Sequence, residues 1–127
     1  MMKCLLDTHI LLWAAADNLP KAAKKYFSDE NELYFSPASI WEIVIKRALC
    51  RNDFQIDPGA FHAGLLSAGY KELPITARHT LTVESLPEIH KDPFDRILIA
   101  QAEYERIHLV TADKDIAKYP FRIVFIE

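Results

Sequence analysis

Glycine is scarce in this chain: Gly59, Gly64 and Gly69 are the only three, and all lie in one segment. A glycine-rich loop of the kind that cradles nucleotide phosphates is therefore excluded. Cysteine is scarcer still. Cys4 and Cys50 fall inside a predicted strand and at a predicted helix end, and two such thiols build no disulfide framework. They read as reduced core residues of a cytosolic protein. No apolar run approaches the roughly 20 residues that cross a bilayer. The start, Met1-Met2-Lys3-Cys4-Leu5-Leu6-Asp7, meets an acid too early to be a signal-peptide core. The chain is thus expected to be soluble and cytoplasmic, with no membrane partner. A basic excess is missing as well. The net charge of −3 argues against a protein that coats duplexes by neutralising their phosphates.

What is present is a globular composition, with 50% hydrophobic and 26% charged residues over 127 positions, enough for one domain spanning 1–127. Internal repeats, low-complexity tracts and linkers are absent. Strands and helices alternate. Lys3–Leu6 reads as a short buried strand, followed at once by a helix from Thr8 to about Ala15. Pro20 opens a helix over Lys21–Ser28, with Ala22, Ala23, Tyr26 and Phe27 on its buried side. Glu32–Phe35 is a strand, and Ser36-Pro37 is a cap followed by proline at the first helical position of a helix running to about Leu49. Pro58–Ala68 is helical, its three nearby glycines marking a loose helix or a small-residue packing seam. Tyr70–Ile75 is extended and Thr76–Leu86 helical. Asp92-Pro93 starts a long helix to about Arg106, His108–Thr111 is a strand, Lys114–Ala117 a helical turn, and Arg122–Ile126 the last strand. This order predicts βαβ units and a mainly parallel sheet with helices on both faces.

Four acids stand at the edges of apolar runs: Asp7 after Leu5-Leu6, Glu42 within Ile40-Trp41-Glu42-Ile43-Val44, Asp95 within Phe94-Asp95-Arg96-Ile97-Leu98, and Asp113 after Leu109-Val110-Thr111. Ligands of parallel α/β sheets bind at the carboxyl ends of the strands. Carboxylates gathered there repel one another unless protons or a cation neutralise them, which points to a hard ion such as Mg²⁺ or Mn²⁺. Three of the four also have a local explanation. Asp7 caps the helix beginning at Thr8, Asp113 caps the turn after it, and Asp92-Pro93-Phe94-Asp95 has the form of a capping box. A cap is worth about 1 kcal/mol and requires no chemistry.

Glu42 is different, because it lies beyond the first turn of a helix whose other residues are mostly apolar. Ser39, Glu42 and Lys46 form a narrow polar stripe on it, which fits a lined pocket better than a solvated pair. Around these acids Thr8 and Ser39 offer hydroxyls. Arg96 either holds a phosphate or pairs with an acid, and Asp115 competes with Asp113 for the fourth place. His9 reads as a surface residue. His90 and Lys91 either touch a phosphate backbone or are loop charges. Trp13 and Trp41 read as core aromatics.

These residues carry a family resemblance. The stretches Leu6-Asp7-Thr8-His9-Ile10-Leu11-Leu12-Trp13, Ser36-Pro37-Ala38-Ser39-Ile40-Trp41-Glu42-Ile43, Lys91-Asp92-Pro93-Phe94-Asp95-Arg96-Ile97-Leu98-Ile99-Ala100-Gln101-Ala102 and Leu109-Val110-Thr111-Ala112-Asp113 resemble the PIN-domain ribonucleases, and most closely the VapC-type toxins of toxin–antitoxin pairs. The resemblance covers essentially the whole chain. It implies a three-layer α/β/α sandwich with a mainly parallel central sheet. It places an acid quartet on Asp7, Glu42, Asp95 and Asp113, with a supporting hydroxyl at Thr8 or Ser39. It further implies Mg²⁺ or Mn²⁺, an RNA substrate, a cognate antitoxin and a homodimer. On this reading Asp7 and Asp95 hold the metal directly, Glu42 binds through water or orients the attacking water, Asp113 completes the shell or helps recruit a second metal, and Lys46 and Arg96 meet phosphate.

Two other readings compete. A receiver-like signalling domain needs an acid pair after the first strand and a phosphoacceptor Asp after a middle strand; the chain offers only Asp7 at the first place and no Asp within 70–75. A non-catalytic partner-binding module on the same fold is the other.

Overall fold

In the computed structural model, residues 1–49 and 55–127 are described. Five strands, β1 (Lys3–Leu6), β2 (Glu32–Phe35), β3 (Lys71–Glu72), β4 (His108–Thr111) and β5 (Ile123–Phe125), form one sheet in the order β3-β2-β1-β4-β5. Every pairing is parallel. The helices are α1 (Thr8–Ala15), α2 (Pro37–Leu49), α3 (Pro58–Ser67), α4 (Ala77–Glu84) and α5 (Pro93–Glu105). Two 3-10 helices, Lys21–Phe27 and Ile116–Lys118, complete the described elements. The chain winds outward from β1 to β3 on one side and from β4 to β5 on the other, so the topological switch point lies between β1 and β4.

Strand β1 is buried on both faces, as its unbroken apolar run requires. Leu6 and Cys4 point into a cluster with Ile10, Leu11, Phe35, Ile43, Phe61 and Val110. Leu5, one residue out of step, points to the opposite side, where it meets Leu98, Ile99, Leu109 and Ile116. These two cores make the layers of an α/β/α sandwich, with α1 and α3 on one face and α4 and α5 on the other. Cys4 is a buried free thiol whose pKa burial raises; the expectation for Cys50 lies outside the described residues.

Local signals explain most element ends. The Ser36 hydroxyl accepts the Ala38 amide at 3.1 Å ahead of Pro37, so the expected cap opens α2. Asp57 caps α3 in the same way, accepting the Gly59 amide at 3.0 Å before Pro58 takes the first turn. Gly69 (φ 92°) closes α3: its amide bonds to Leu66 and that of Tyr70 to Leu65, a left-handed ending that suits glycine. A Cβ on Gly64 would meet nothing within 4 Å, so the glycine-lined packing seam expected here does not exist. The extended stretch predicted over 70–75 keeps only two ladder residues, because β3 is an edge strand and pairs with β2 alone. The segment after Pro20 winds as a 3-10 helix with Ala23 buried, Tyr26 and Phe27 half-buried and Ala22 exposed.

Helix α2 corrects a larger expectation. Its apolar residues do not bury it on several sides: only Ala38, Ser39 and Ile43 are buried. Trp41 is 61% exposed, and Val44 is exposed beside it. Trp41 is therefore no core aromatic; it stands at the surface, edge-on to Phe94 with ring centroids 5.2 Å apart. Among the described residues, no helix is long and apolar enough to cross a membrane. Leu5→Ala should cost about 2–5 kcal/mol, whereas Trp41→Ala should cost no more than about 1 kcal/mol; urea denaturation of the two variants measures both.

Candidate active site

The β1–β4 pairing aligns Leu6 with Val110, and the Asp7 amide continues the ladder to the Val110 carbonyl at 3.0 Å. Asp7 thus leaves the sheet at the switch point, only 3% exposed. Its carboxylate does not cap α1. Instead Oδ2 accepts the Thr111 hydroxyl at 2.6 Å. Thr111 in turn accepts the Asp113 amide at 3.0 Å, so one hydroxyl ties the end of β1 to the start of the loop after β4. Thr111 is a site residue that the sequence reading missed. Its only signal was its place two residues before Asp113, and that acquires meaning only once β4 is known to lie beside β1.

Asp92, not Asp95, caps α5, accepting the amides of Phe94 at 2.8 Å and Asp95 at 3.4 Å. The second half of a capping box is missing: the Asp92 amide donates to His90 Nδ1 at 3.1 Å, not to Asp95. Asp95 is left free to face the acids, and its Oδ2 lies 3.1 Å from His90 Nε2. The same nitrogen is 3.1 Å from Asp113 Oδ2. Asp113 has two roles, because its other oxygen, Oδ1, accepts the amides of Asp115 and Ile116 at 2.7 and 3.2 Å. Capping and site geometry are thus divided between two oxygens of one carboxylate. Asp115 is exposed and pairs with Lys118 at 3.2 Å. Ligand atoms of His90, Asp113 and Asp115 nevertheless lie within 4.8 Å of one another.

Thr8 and Ser39, both buried, use their hydroxyls on each other at 2.8 Å, joining the first turns of α1 and α2. Glu42 sits one turn beyond Ser39, half-buried, with Oε1 buried and without a hydrogen-bond partner. Lys46 follows on the same helix, also half-buried. His9 is exposed, and with Asp7, Trp13, Ala112 and Asp113 it lines a cleft at this edge of the sheet. Among the described residues, Arg96 meets neither an acid nor this cleft. Its guanidinium donates to the carbonyls of Val83 at 3.0 Å and of Pro87 and His90, both at 3.2 Å, and to the Tyr119 hydroxyl at 3.3 Å. The expected phosphate contact is replaced by a clamp on the loop that carries His90, because a planar fork of donors suits several carbonyls at once.

The electrostatics follow from this crowding. Burial raises the pKa of Asp7, with the charge of Glu42 adding to it, against the Thr111 hydrogen bond and the charge of His9. Burial, then the charges of Asp7, Asp92 and Glu42, push Asp95 up to about 7, with His90 opposing. Burial also works against ionised Asp113, but the His90 hydrogen bond and the amides of Asp115 and Ile116 outweigh it and hold its carboxyl below the usual range. Burial disfavours a charged His90, yet its bond to Asp113 and the charges of Asp95, Asp113 and Asp92 hold its pKa above the ordinary value. Lone pairs without donors, on acids that repel one another, are what a hard cation neutralises, and a donor set of carboxylate oxygens suits one. Asp7, Glu42 and Asp95, with the unpartnered Glu42 Oε1 among them, have the donor chemistry for such an ion, while among the described residues the group of donor atoms within 4.8 Å of one another is that of His90, Asp113 and Asp115.

The raised Asp95 pKa sets a stability prediction for the metal-free protein. The folded state holds this proton up to about pH 7, while the unfolded chain releases it near the ordinary value of 3.8. Between these limits the folded state binds more protons, so stability falls as pH rises through that window and levels off above it. Asp95→Asn should flatten the fall and melt higher than the parent protein above neutral pH, as thermal melts across the pH range in the presence of chelator will measure.

The fold has solved counterparts. VapBC2 from Rickettsia felis, bound to a DNA fragment from its promoter, is similar with a TM-score of 0.76 at 17% identity, covering 99% of this chain and 100% of that one. DNA-bound VapBC from Salmonella typhimurium is similar with a TM-score of 0.70 at 15% identity, covering 98% of each chain. VapC20 of Mycobacterium tuberculosis, described as a toxin cleaving the sarcin–ricin loop, has a TM-score of 0.67 at 18% identity, covering 98% of each chain. No curated protein sequence matches the chain. The sequence matches the PIN domain family over residues 4–122, and with its five-stranded parallel sheet and helices on both faces the chain belongs to that family.

Proposed function

We propose that the protein is a metal-dependent endoribonuclease that hydrolyses RNA phosphodiester bonds, and that it is the toxin of a toxin–antitoxin pair. The observation that carries this reading is the meeting of Asp7, Glu42 and Asp95 from three separate elements at the β1–β4 switch point. The charges of Asp7 and Glu42 add to the raised pKa of Asp95, that of Glu42 adds to the raised pKa of Asp7, and one Glu42 oxygen is buried without a partner. A non-catalytic partner-binding module has no need of such a cluster, whose repulsion lowers the stability of the metal-free fold.

Asp7 and Asp95 would hold Mg²⁺ or Mn²⁺ directly, with Glu42 and Asp113 completing the shell directly or through water. The ion supplies charge neutralisation for the phosphate and makes water a better nucleophile at neutral pH. The rest falls to the chain's own groups. Glu42, with its unpartnered oxygen, is the group to orient the attacking water and accept its proton. Asp7, held by Thr111, fixes the position of the site relative to the sheet. Thr8 and Ser39 hold the helix carrying Glu42 against the helix that follows Asp7. Attack in line with the departing 3′ oxygen would leave a 5′ phosphate and a 3′ hydroxyl. Lys46, on the same helix as Glu42, is the proposed phosphate contact. The proposed partners are an antitoxin, as in the VapBC complexes of similar fold, and a second copy of the chain.

Asp7→Asn and Asp95→Asn should each lower metal-dependent RNA cleavage by at least about 100-fold, more than 2.7 kcal/mol of barrier, with the fold retained by circular dichroism. A gel assay of RNA cleavage with Mg²⁺, with Mn²⁺ and with chelator measures this. Full cleavage by either variant, or cleavage undiminished by chelator, would sink the assignment.

A further inference from the structure

His90 offers two different chemistries to the acids around it. Its Nε2 lies 3.1 Å from Asp95 Oδ2 and 3.1 Å from Asp113 Oδ2, and His90, Asp113 and Asp115 have the spacing of a ligand group. By distance alone, Nε2 is a candidate metal ligand. The other ring nitrogen decides against it. Nδ1 faces the backbone amide of Asp92 at 3.1 Å, and a backbone N–H can only donate. Nδ1 therefore presents its lone pair, and the proton of the neutral ring sits on Nε2, pointing at the two carboxylates. A nitrogen that carries a proton has no lone pair for a cation. Moving the proton to Nδ1 would set it against the Asp92 N–H and leave that amide without an acceptor, which costs about 1–3 kcal/mol for a buried group.

The ring has little freedom to turn away. The His90 amide donates to the Tyr119 hydroxyl at 2.8 Å, the His90 carbonyl accepts from Arg96 at 3.2 Å, and the side chain is 14% exposed. Arg96 and Tyr119 also contact each other at 3.3 Å, so the clamp on the loop and the orientation of the ring are one structure. Asp113, by contrast, projects from the loop after β4 with its side chain 35% exposed. Among the described residues, His90 is the hydrogen-bond partner of Oδ2, and the amide-bound Oδ1 fixes only the other end of the carboxylate.

We infer that His90 is a positioning residue, a fixed N–H donor that holds Asp113 beside Asp95, and that it influences cation binding through Asp113 and not as a ligand. This rests on the reading that the acid site receives a divalent cation. Without the donor, two carboxylates of like charge separate and Asp113 turns toward solvent, so the site loses its fourth acid.

Two measurements test this. In the metal-free protein, long-range ¹H–¹⁵N spectra recorded with the ring in its neutral form, at the alkaline end of its titration, should show the His90 proton on Nε2; a proton on Nδ1 overturns the inference whether or not the protein cleaves RNA. In calorimetric Mn²⁺ titrations, His90→Ala should weaken binding roughly 10-fold, the lower end of what loss of a group that orients a ligand costs. His90→Gln, which keeps an N–H donor at the same reach, should recover to within about threefold. In an Asp113→Asn background the His90→Ala change should have almost no further effect, since the residue through which it acts is already altered. Equal loss in both backgrounds, or a Gln variant as weak as the Ala variant, would make His90 a ligand or a merely structural residue and overturn the inference. Failure of the parent protein to bind Mn²⁺ would overturn the cation reading and this inference together, whereas loss of RNA cleavage alone would bear only on the proposed activity.

Discussion

A hydrogen bond of 2.6 Å between the Thr111 hydroxyl and the Asp7 carboxylate holds the end of β1 to the end of β4, and the site is organised around it. It exists because two parallel strands, far apart in sequence, align Leu6 with Val110 in the centre of the sheet. From that register the chain departs on opposite sides, and the opening between the departures is where acids from α2 and α5 converge. The bond also offsets part of the cost of burying a carboxylate that, among the described residues, has no ion-pair partner. Burial nevertheless prevails, and the pKa of Asp7 stays raised.

Around this bond the fold accepts a conflict between stability and chemistry. Burial and the charges of Asp7, Asp92 and Glu42 all oppose the ionisation of Asp95. Elements that would normally relieve such crowding have been assigned elsewhere. Asp92 takes over the cap of α5, which leaves the Asp95 carboxylate facing inward. Thr8 and Ser39 satisfy each other, and Arg96, the cation nearest in sequence to Asp95, is turned away to hold carbonyls. His90 reaches Asp95 and Asp113 from the loop side. The result is an acidic opening framed by satisfied polar groups.

How much of this was legible in the sequence can be judged residue by residue. The order of strands and helices was readable because each carries a period or a punctuation mark: the doubly apolar Cys4-Leu5-Leu6, the Ser36-Pro37 and Asp92-Pro93 starts, the glycine after α3. The three-layer sandwich followed from that alternation. Glu42 was distinguishable because no local rule accounts for an acid beyond the first turn of that helix. The burial of Trp41 was misjudged because an apolar run does not say how many sides of a helix are covered; α2 lies at the margin of both cores and presents Trp41 and Val44 outward. Arg96 was misread for a related reason. Its neighbour in sequence is an acid, but on α5 its side chain leaves in another direction and meets the carbonyls of the loop 83–90.

The sequence by itself determined the parallel α/β class and the positions of most element ends, since these depend on side-chain type and short-range spacing. Tertiary structure alone decided which oxygen does what. Whether Asp7 caps a helix or meets Thr111, whether Asp113 turns one oxygen to the backbone and the other to His90, and whether His90 presents a proton or a lone pair all depend on contacts between residues separated by anything from two to more than a hundred positions. Strand register and the choice of crossover create those contacts, and no local pattern of residues encodes them.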